Sequence, residues 1–332
     1  MILWLQFAAV AAVILFAGTK LSRYGDVIAE KSGMGRTWVG IILLASVTSL
    51  PELITGASSV VIFDLPDLAV GNILGACMFN MLTIALLDVL SGPTPISTRA
   101  NQGQVLAAGF GVLMLGVAAI SIAGNSSMPA LGWIGWYSVA FFLIYAVAIR
   151  TVFLFEQRRV AELVHERVEA ARYDSVSLRR AYGNYAINAA LVIGAAVYLP
   201  HLGDRIATAT GLGGTFVGTT FIALTTTLPE LVVSVAALRI GATDLIFGNL
   251  FGSNLFNLAI LAVDDVLYVK GPLLSSAAQS HVISANTAMA MTAVAVIGLT
   301  YRASRKRFLF AWDSLAILVL YTLGVGTVFS LR

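Results

Sequence analysis

The sequence predicts an all-α membrane protein: ten transmembrane helices laid out as two inverted five-helix repeats, with broken helices at the centre. Three observations predict it. Apolar runs long enough to cross a bilayer recur along the whole chain. Nearly all the Lys and Arg fall on one side of a ten-span count. One motif occurs twice, in halves that must enter the membrane from opposite sides.

Of the 332 residues, 58% are apolar and 11% charged, against roughly a quarter charged in ordinary soluble domains. A soluble helical protein of this size needs polar helix faces, and most of these runs have none. The first five spans are read at about 2–19, 37–62, 68–90, 104–122 and 131–153. The second five fall at about 184–200, 213–238, 245–267, 281–300 and 308–329. The first twenty residues lack the basic n-region and cleavage site of a secretory signal, so they are read as a span. Between the two sets lies a long hydrophilic stretch, "EQRRVAELVHERVEAARYDSVSLRR", expected to be helical. The expected organisation is an N-terminal repeat (1–154), a linker (155–183) and a C-terminal repeat (184–332).

The basic residues test the span count. If the chain crosses at each span, all but three of the 20 Lys and Arg lie on the side of the loops after spans 1, 3, 5, 7 and 9. Arg205, Lys270 and Arg332 are the exceptions. One missed span would scramble this split. Positive charge favours the cytoplasm, so the linker is expected inside and both termini outside. Arg158, Arg159, Arg179 and Arg180 are then topology signals, not a nucleic-acid or regulatory surface. A prokaryotic plasma membrane is the expected location, and no obligate protein partner is evident. Cys77 is the sole cysteine, which excludes an internal disulfide; His165, His201 and His281 share no metal-type spacing.

The duplication runs from Val39 to Leu90 and from Val217 to Leu267, with roughly twenty identities in about fifty positions. Five spans per half is an odd number, so the second copy enters from the opposite face, as in many secondary transporters. Its densest part is "SVTSLPEL" in the first copy and "LTTTLPEL" in the second. Glu52 and Glu230 sit mid-run, where a charge costs at least about 2.5–3.5 kcal/mol on the insertion scale. Pro51 and Pro229 each remove a backbone donor and kink or break the helix, loosening the carbonyls of Val47 and Thr225. Thr48, Ser49, Thr226 and Thr227 lie three and four residues before the glutamates, which in a continuous helix is the same face. The following span adds Asn72 and Asn80, then Asn249, Ser253, Asn254 and Asn257; the amide oxygens are expected to point at the glutamates. Gly71, Gly75, Gly248 and Gly252, four apart, permit close helix approach.

All of these are hard oxygen donors. Two carboxylates in an oxygen-only set suit Ca2+, whereas Zn2+ or Cu+ would call for His or Cys. Two desolvated carboxylates close together cannot both stay ionised without a cation or proton. Such a pair can trade one Ca2+ for monovalent cations or protons, and its bare, doubly charged form does not cross; that is the physical basis of antiport. The matched Asp88 and Asp265 lie near span ends, where helix-end or surface roles are expected.

At these residues the chain resembles the cation/calcium exchanger superfamily, and its sodium/calcium branch more than its proton/calcium branch. "TSLPEL" with "GNILGACMFN", and "TTLPEL" with "GNLFGSNLFN", are similar to the family's two α-repeats. The resemblance implies a core of four α-repeat helices around midplane ion sites. It carries ion contacts to Ala45 (by its carbonyl), Thr48, Ser49, Glu52 and Asn80. In the second copy they fall on Ala223 (by its carbonyl), Thr226, Thr227, Glu230, Ser253 and Asn257. There are departures. Ala76 and Cys77 stand where Ser and Asn are usual, Thr227 replaces a common Ser, Asn257 stands where some members carry Asp, and "VTS" and "TTT" replace "GTS".

The expected function is a secondary antiporter exchanging Ca2+ for Na+, with no enzymatic activity and no cofactor. The departures leave counter-ion and ion ratio open. The rivals are a proton-driven or other-cation antiporter of the same fold, then a cation channel, then an intramembrane protease, whose paired acids would be aspartates.

Overall fold

The computed structural model describes residues 2–31, 47–100, 103–124, 129–163, 177–303, 305–306 and 309–331. Two regular helices open the described chain, α1 (Ile2–Lys31) and α2 (Leu50–Val61), followed by α3 (Pro66–Leu90) and α4 (Gly103–Gly124). A two-stranded hairpin, β1 (Ala130–Leu131) and β2 (Ile134–Gly135), precedes α5 (Trp136–Leu163). The second half contains α6 (Leu178–Thr210), α7 (Gly214–Thr226), α8 (Leu228–Arg239), α9 (Thr243–Leu267), α10 (His281–Tyr301) and α11 (Trp312–Ser330).

Eight of these helices are long and apolar enough to span a bilayer, and α7 with α8 forms a ninth span bent by 46°. The tenth expected span, 37–62, is represented by its second half, α2; its first half lies outside the described residues. Three expected boundaries move. α1 runs to Lys31 and α6 covers 178–210, each well beyond its expected span, because both helices continue through polar sequence outside the apolar run. The fifth span begins at Trp136, since residues 130–135 turn at Gly132 (φ 66°). The polar segment is helical to Leu163, and 164–176 lies outside the described residues.

The halves are antiparallel. At one end, the start of α3 meets the chain after α9: Asp67 accepts from the Ala278 amide at 2.7 Å. At the other, Gln104, at the start of α4, donates to the Asp244 carbonyl at the start of α9 (3.4 Å). So α3 begins where α9 ends, as inverted repeats require. Asp88 and Asp265 show the same relation. Each sits near its helix end and accepts the backbone N–H eight residues on, Ile96 at 3.0 Å and Leu273 at 2.7 Å. Both are fully buried, so the helix-end expectation holds and the surface alternative does not.

α3 and α9 form the interior: 83% of the residues in their most apolar stretch are buried, against 17% in α1 and α5, which face outward. Between helices in lipid there is no hydrophobic driving force, so contact rests on dense packing at small residues. Gly75 illustrates it: a Cβ there would lie 2.3 Å from the Thr219 carbonyl oxygen of α7. α7 itself contains a π-helical turn at Gly218–Ile222 in this contact. Gly18 of α1 leaves room for the ring of Pro229, where an added Cβ would approach Cγ to 2.6 Å. α1 therefore braces the bend between α7 and α8.

Candidate cation site

The site is built where α2 and α8 start. Ser49 (φ −85°, ψ 13°) and Thr227 (φ −85°, ψ 1°) hold nearly the same non-helical conformation immediately before the two helices. Pro51 and Pro229 lie in the first two positions of α2 and α8, where a missing donor costs no hydrogen bond. The prolines thus begin new helices rather than kink continuous ones. Glu52 and Glu230 fall in the first turns, at the positive end of each helix dipole.

Both glutamates are fully buried and are electrostatic neighbours. Neither oxygen of Glu52 has a hydrogen-bond partner among the described residues, and Oε2 of Glu230 has none. Ser49 donates to Oε1 of Glu230 at 3.2 Å, and the Thr48 and Ser253 hydroxyls lie beside the same carboxylate, 3.5 Å from each other. Beside Glu52 is Thr226. The Thr48, Ser49 and Thr226 hydroxyls therefore serve the glutamate of the opposite repeat, which corrects the same-face expectation. Ser253 stays with the glutamate of its own repeat, and Thr227 donates to the Ala223 and Leu224 carbonyls. The i, i+3 and i, i+4 relation holds only along a continuous helix, and the break at Ser49 and Thr227 interrupts it.

The asparagines hold the breaks. Asn72 donates its amide to the Glu52 carbonyl (3.2 Å) and accepts from Thr226 (3.0 Å); Asn249 donates to the Glu230 carbonyl (3.3 Å). Their nitrogens, not their oxygens, are turned toward the glutamate backbone, another correction. Asn254 ties α9 to α3, accepting from Asn80 at 2.9 Å and donating to the Cys77 carbonyl at 3.4 Å. That leaves Oδ1 of Asn80 and both amide atoms of Asn257 buried without partners among the described residues. The Ala223 carbonyl accepts from the Thr226 and Thr227 hydroxyls at 3.2 and 2.7 Å, so an ion there would share it. Ala45 lies outside the described residues. Cys77 is buried filler with its Sγ 4.0 Å from the Asn254 carbonyl.

The chemistry of the donor set is uniform. Hydroxyls gather beside carboxylates that keep unpartnered oxygens, and buried amide oxygens without partners lie on the neighbouring helices, while among the described residues no group of three or more His, Cys, Asp or Glu could hold a metal ion. Such a set fits hard, oxygen-seeking cations. Reading the sequence passes over two buried acids, Asp313 near the start of α11 and, nearer the site, Asp264. The available signal was register: it lies seven residues after Asn257, two turns along the same helix face.

A family model described as sodium/calcium exchanger protein matches residues 2–154 and 180–330. The chain belongs to the sodium/calcium exchanger protein family. Inner membrane protein YrbG of Escherichia coli is 24% identical over 269 residues, covering 79% of this chain and 78% of its own. Sodium/calcium exchanger MaX1 of Methanosarcina acetivorans is 32% identical over 134 residues, 40% of this chain and 36% of its own. Among solved structures, a sodium-calcium exchanger NCX_Mj chain superposes with a TM-score of 0.62 at 20% identity, covering 98% of each chain. That likeness concerns the fold. As a family member, this chain is a multi-pass membrane protein with an inverted-repeat exchanger architecture.

Proposed function

We propose that this exchanger moves Ca2+ against Na+ by alternating access, holding its cations between Glu52 and Glu230. One observation carries the reading: two fully buried carboxylates, one from each inverted repeat, lie within electrostatic reach of each other with three oxygens unpartnered among the described residues. Two such charges need compensation. One Ca2+ supplies it, and so does a set of Na+ ions, so the loaded forms rock between faces while the bare form stays put. Thr48, Ser49, Ser253, Thr226 and Thr227 add hydroxyl ligands, with Asn80 and Asn257 adding amide oxygens and Ala45 and Ala223 carbonyls. The charge pattern supports a cytoplasmic linker with both termini outside, and the membrane proposed is a prokaryotic plasma membrane.

The test is Ca2+ flux in proteoliposomes with an imposed Na+ or H+ gradient. Na+-driven Ca2+ uptake is expected, falling to background in Glu52→Gln and in Glu230→Gln while both variants still fold and insert. Uptake driven equally well by H+ alone would favour the proton-coupled reading. Flux without any counter-ion would favour a channel.

A further inference from the structure

Asp264 stands outside the site just described. It is fully buried on α9, and among the described residues neither of its carboxylate oxygens has a hydrogen-bond partner. Asp265, its neighbour in sequence, is as deeply buried and has four donors: the Gly135 amide (2.8 Å), the Ser138 hydroxyl (2.6 Å), the Leu273 amide (2.7 Å) and the Tyr137 hydroxyl. One aspartate is bonded into the fold; the other is bare. Burying an ionised carboxylate without donors is expensive, so Asp264 needs a proton or a cation.

Its place is shaped for it. The residue facing it from α2 is Gly56, where an added Cβ would lie 2.2 Å from Oδ2 and 2.8 Å from Cγ. Gly56 is one turn beyond Glu52, about 6 Å along the helix. Asn257, on the same face of α9 as Asp264, has both amide atoms buried and unpartnered among the described residues. Glu52, Asn257 and Asp264 therefore mark a line of unsatisfied polar groups along the α2–α9 interface. It runs from the central pair toward the end where Asp64 meets Lys270.

We propose that Asp264 is a proton-binding site on the Lys270 side of the ion route, one turn from Glu52, which releases its proton as a cation enters and regains it as the cation leaves. Ionised, it draws a cation inward to Glu52; protonated, it withdraws that charge. A single bare carboxylate suits a proton, since Ca2+ wants six to eight oxygens. The other titratable groups on the elements packed against α9 are accounted for. On α5, Tyr137 is spent on Asp265, Tyr145 packs on Phe256, about two turns along α9 from Asp264, and Arg150 is exposed. On α8, Arg239 is exposed at the helix end, and Cys77 of α3 is buried against Asn254. On α3, Asp67 bonds the Ala278 amide and Asp88 sits at the far end, bonded to Ile96 and Ala311. α4 carries no titratable side chain. Glu52 of α2 and Glu230 of α8 belong to the central pair.

The inference rests on the exchange reading, and its test separates the two. Wild-type protein and Asp264→Asn are reconstituted in orientation-sorted vesicles, and apparent Ca2+ affinity is measured while pH is varied on one side at a time. With acid on the Lys270 side, wild-type affinity should fall toward tenfold per pH unit, the limit for one proton. In Asp264→Asn that dependence should flatten at the low-affinity end, with the response to pH on the opposite side unchanged. An unaltered profile in the variant overturns the proposal, as does a lowered melting temperature, which would make the carboxylate structural. Absence of exchange in the wild type would sink the exchange reading instead. In that case proton release on adding Ca2+ to weakly buffered purified protein still decides: Asp264→Asn should release one proton fewer per chain, and equal release overturns the proposal.

Discussion

At Glu52 the hydroxyl count is lower than at Glu230. Glu230 has Thr48, Ser49 and Ser253 beside it; Glu52 has Thr226, and the position matching Ser253 is Ala76. Ala76 is fully buried, so a hydroxyl there has no water to turn to and would face the repeat-related position. Ala76→Ser is therefore expected to give Glu52 a second hydroxyl and shift Na+ activation of Ca2+ uptake to lower Na+. An unchanged Na+ curve would mean the position is idle. The adjacent aspartates make an opposite pair of expectations for stability. Asp265→Asn strands at least two of four donors, at about 1–3 kcal/mol for each stranded donor. Asp264→Asn strands none and should melt no lower than wild type. Thermal melting of the two variants side by side checks both. Glu52 and Glu230 were legible from sequence because an acid in an apolar run is costly wherever it lands. The bare state of Asp264 was not, since it depends on Gly56, distant in sequence and marked by nothing more than the lack of a side chain.

The helix elements were legible where composition decides them and illegible where a partner does. Apolar length alone locates α3, α4, α9, α10 and α11 to within a few residues. The bend at Thr227 has a sequence sign, Pro229, but its consequence does not: once α7 stops, Thr226 leaves the phase of Glu230 and its hydroxyl crosses to the other repeat, while Thr227 bonds back to the Ala223 carbonyl. The π turn at Gly218–Ile222 is likewise set by α3, whose Gly71 and Gly75 pack on it. Gly75→Ala tests that contact. Its Cβ would meet the Thr219 carbonyl at 2.3 Å and the Ala223 Cβ at 2.6 Å, and a backbone atom cannot step aside as a side chain does. Overpacking of this kind costs about 1–3 kcal/mol, and here it also pushes apart the helices that carry Asn80 and Thr226. A lowered melting temperature together with reduced Ca2+ uptake is expected. Gly116→Ala on α4 is the control, because its nearest neighbour, Sδ of Met289, is 3.8 Å away. Equal effects from the two would remove the close contact from the explanation.

For the whole molecule, the two ends are tied differently. At one end Lys306 is buried against Asp88 at 3.0 Å, beside the Asp88 carboxylate's bond to the Ala311 amide. At the other, Lys270 reaches Asp64 at 2.6 Å with both side chains more than half exposed. An exposed pair contributes about 0–1 kcal/mol, so Lys270 can be replaced with little effect on folding. It also belongs to the few basic residues on the charge-poor side, whereas Arg305 is exposed on the charge-rich side. Cys77 is buried and is the sole cysteine, so a Cys77→Ala background carries one chosen label site at a time. In intact cells, a membrane-impermeant maleimide should label Lys270→Cys, and should reach Arg305→Cys only after permeabilisation. That outcome puts the linker and the Asp88–Lys306 tie inside, and turns the Asp264 end of the route to the external medium. Labelling in the reverse order would invert the molecule in the membrane. Asp264 would then respond to cytoplasmic pH, and the positive residues would have to be held outside by something other than the usual preference of Lys and Arg for the cytoplasm.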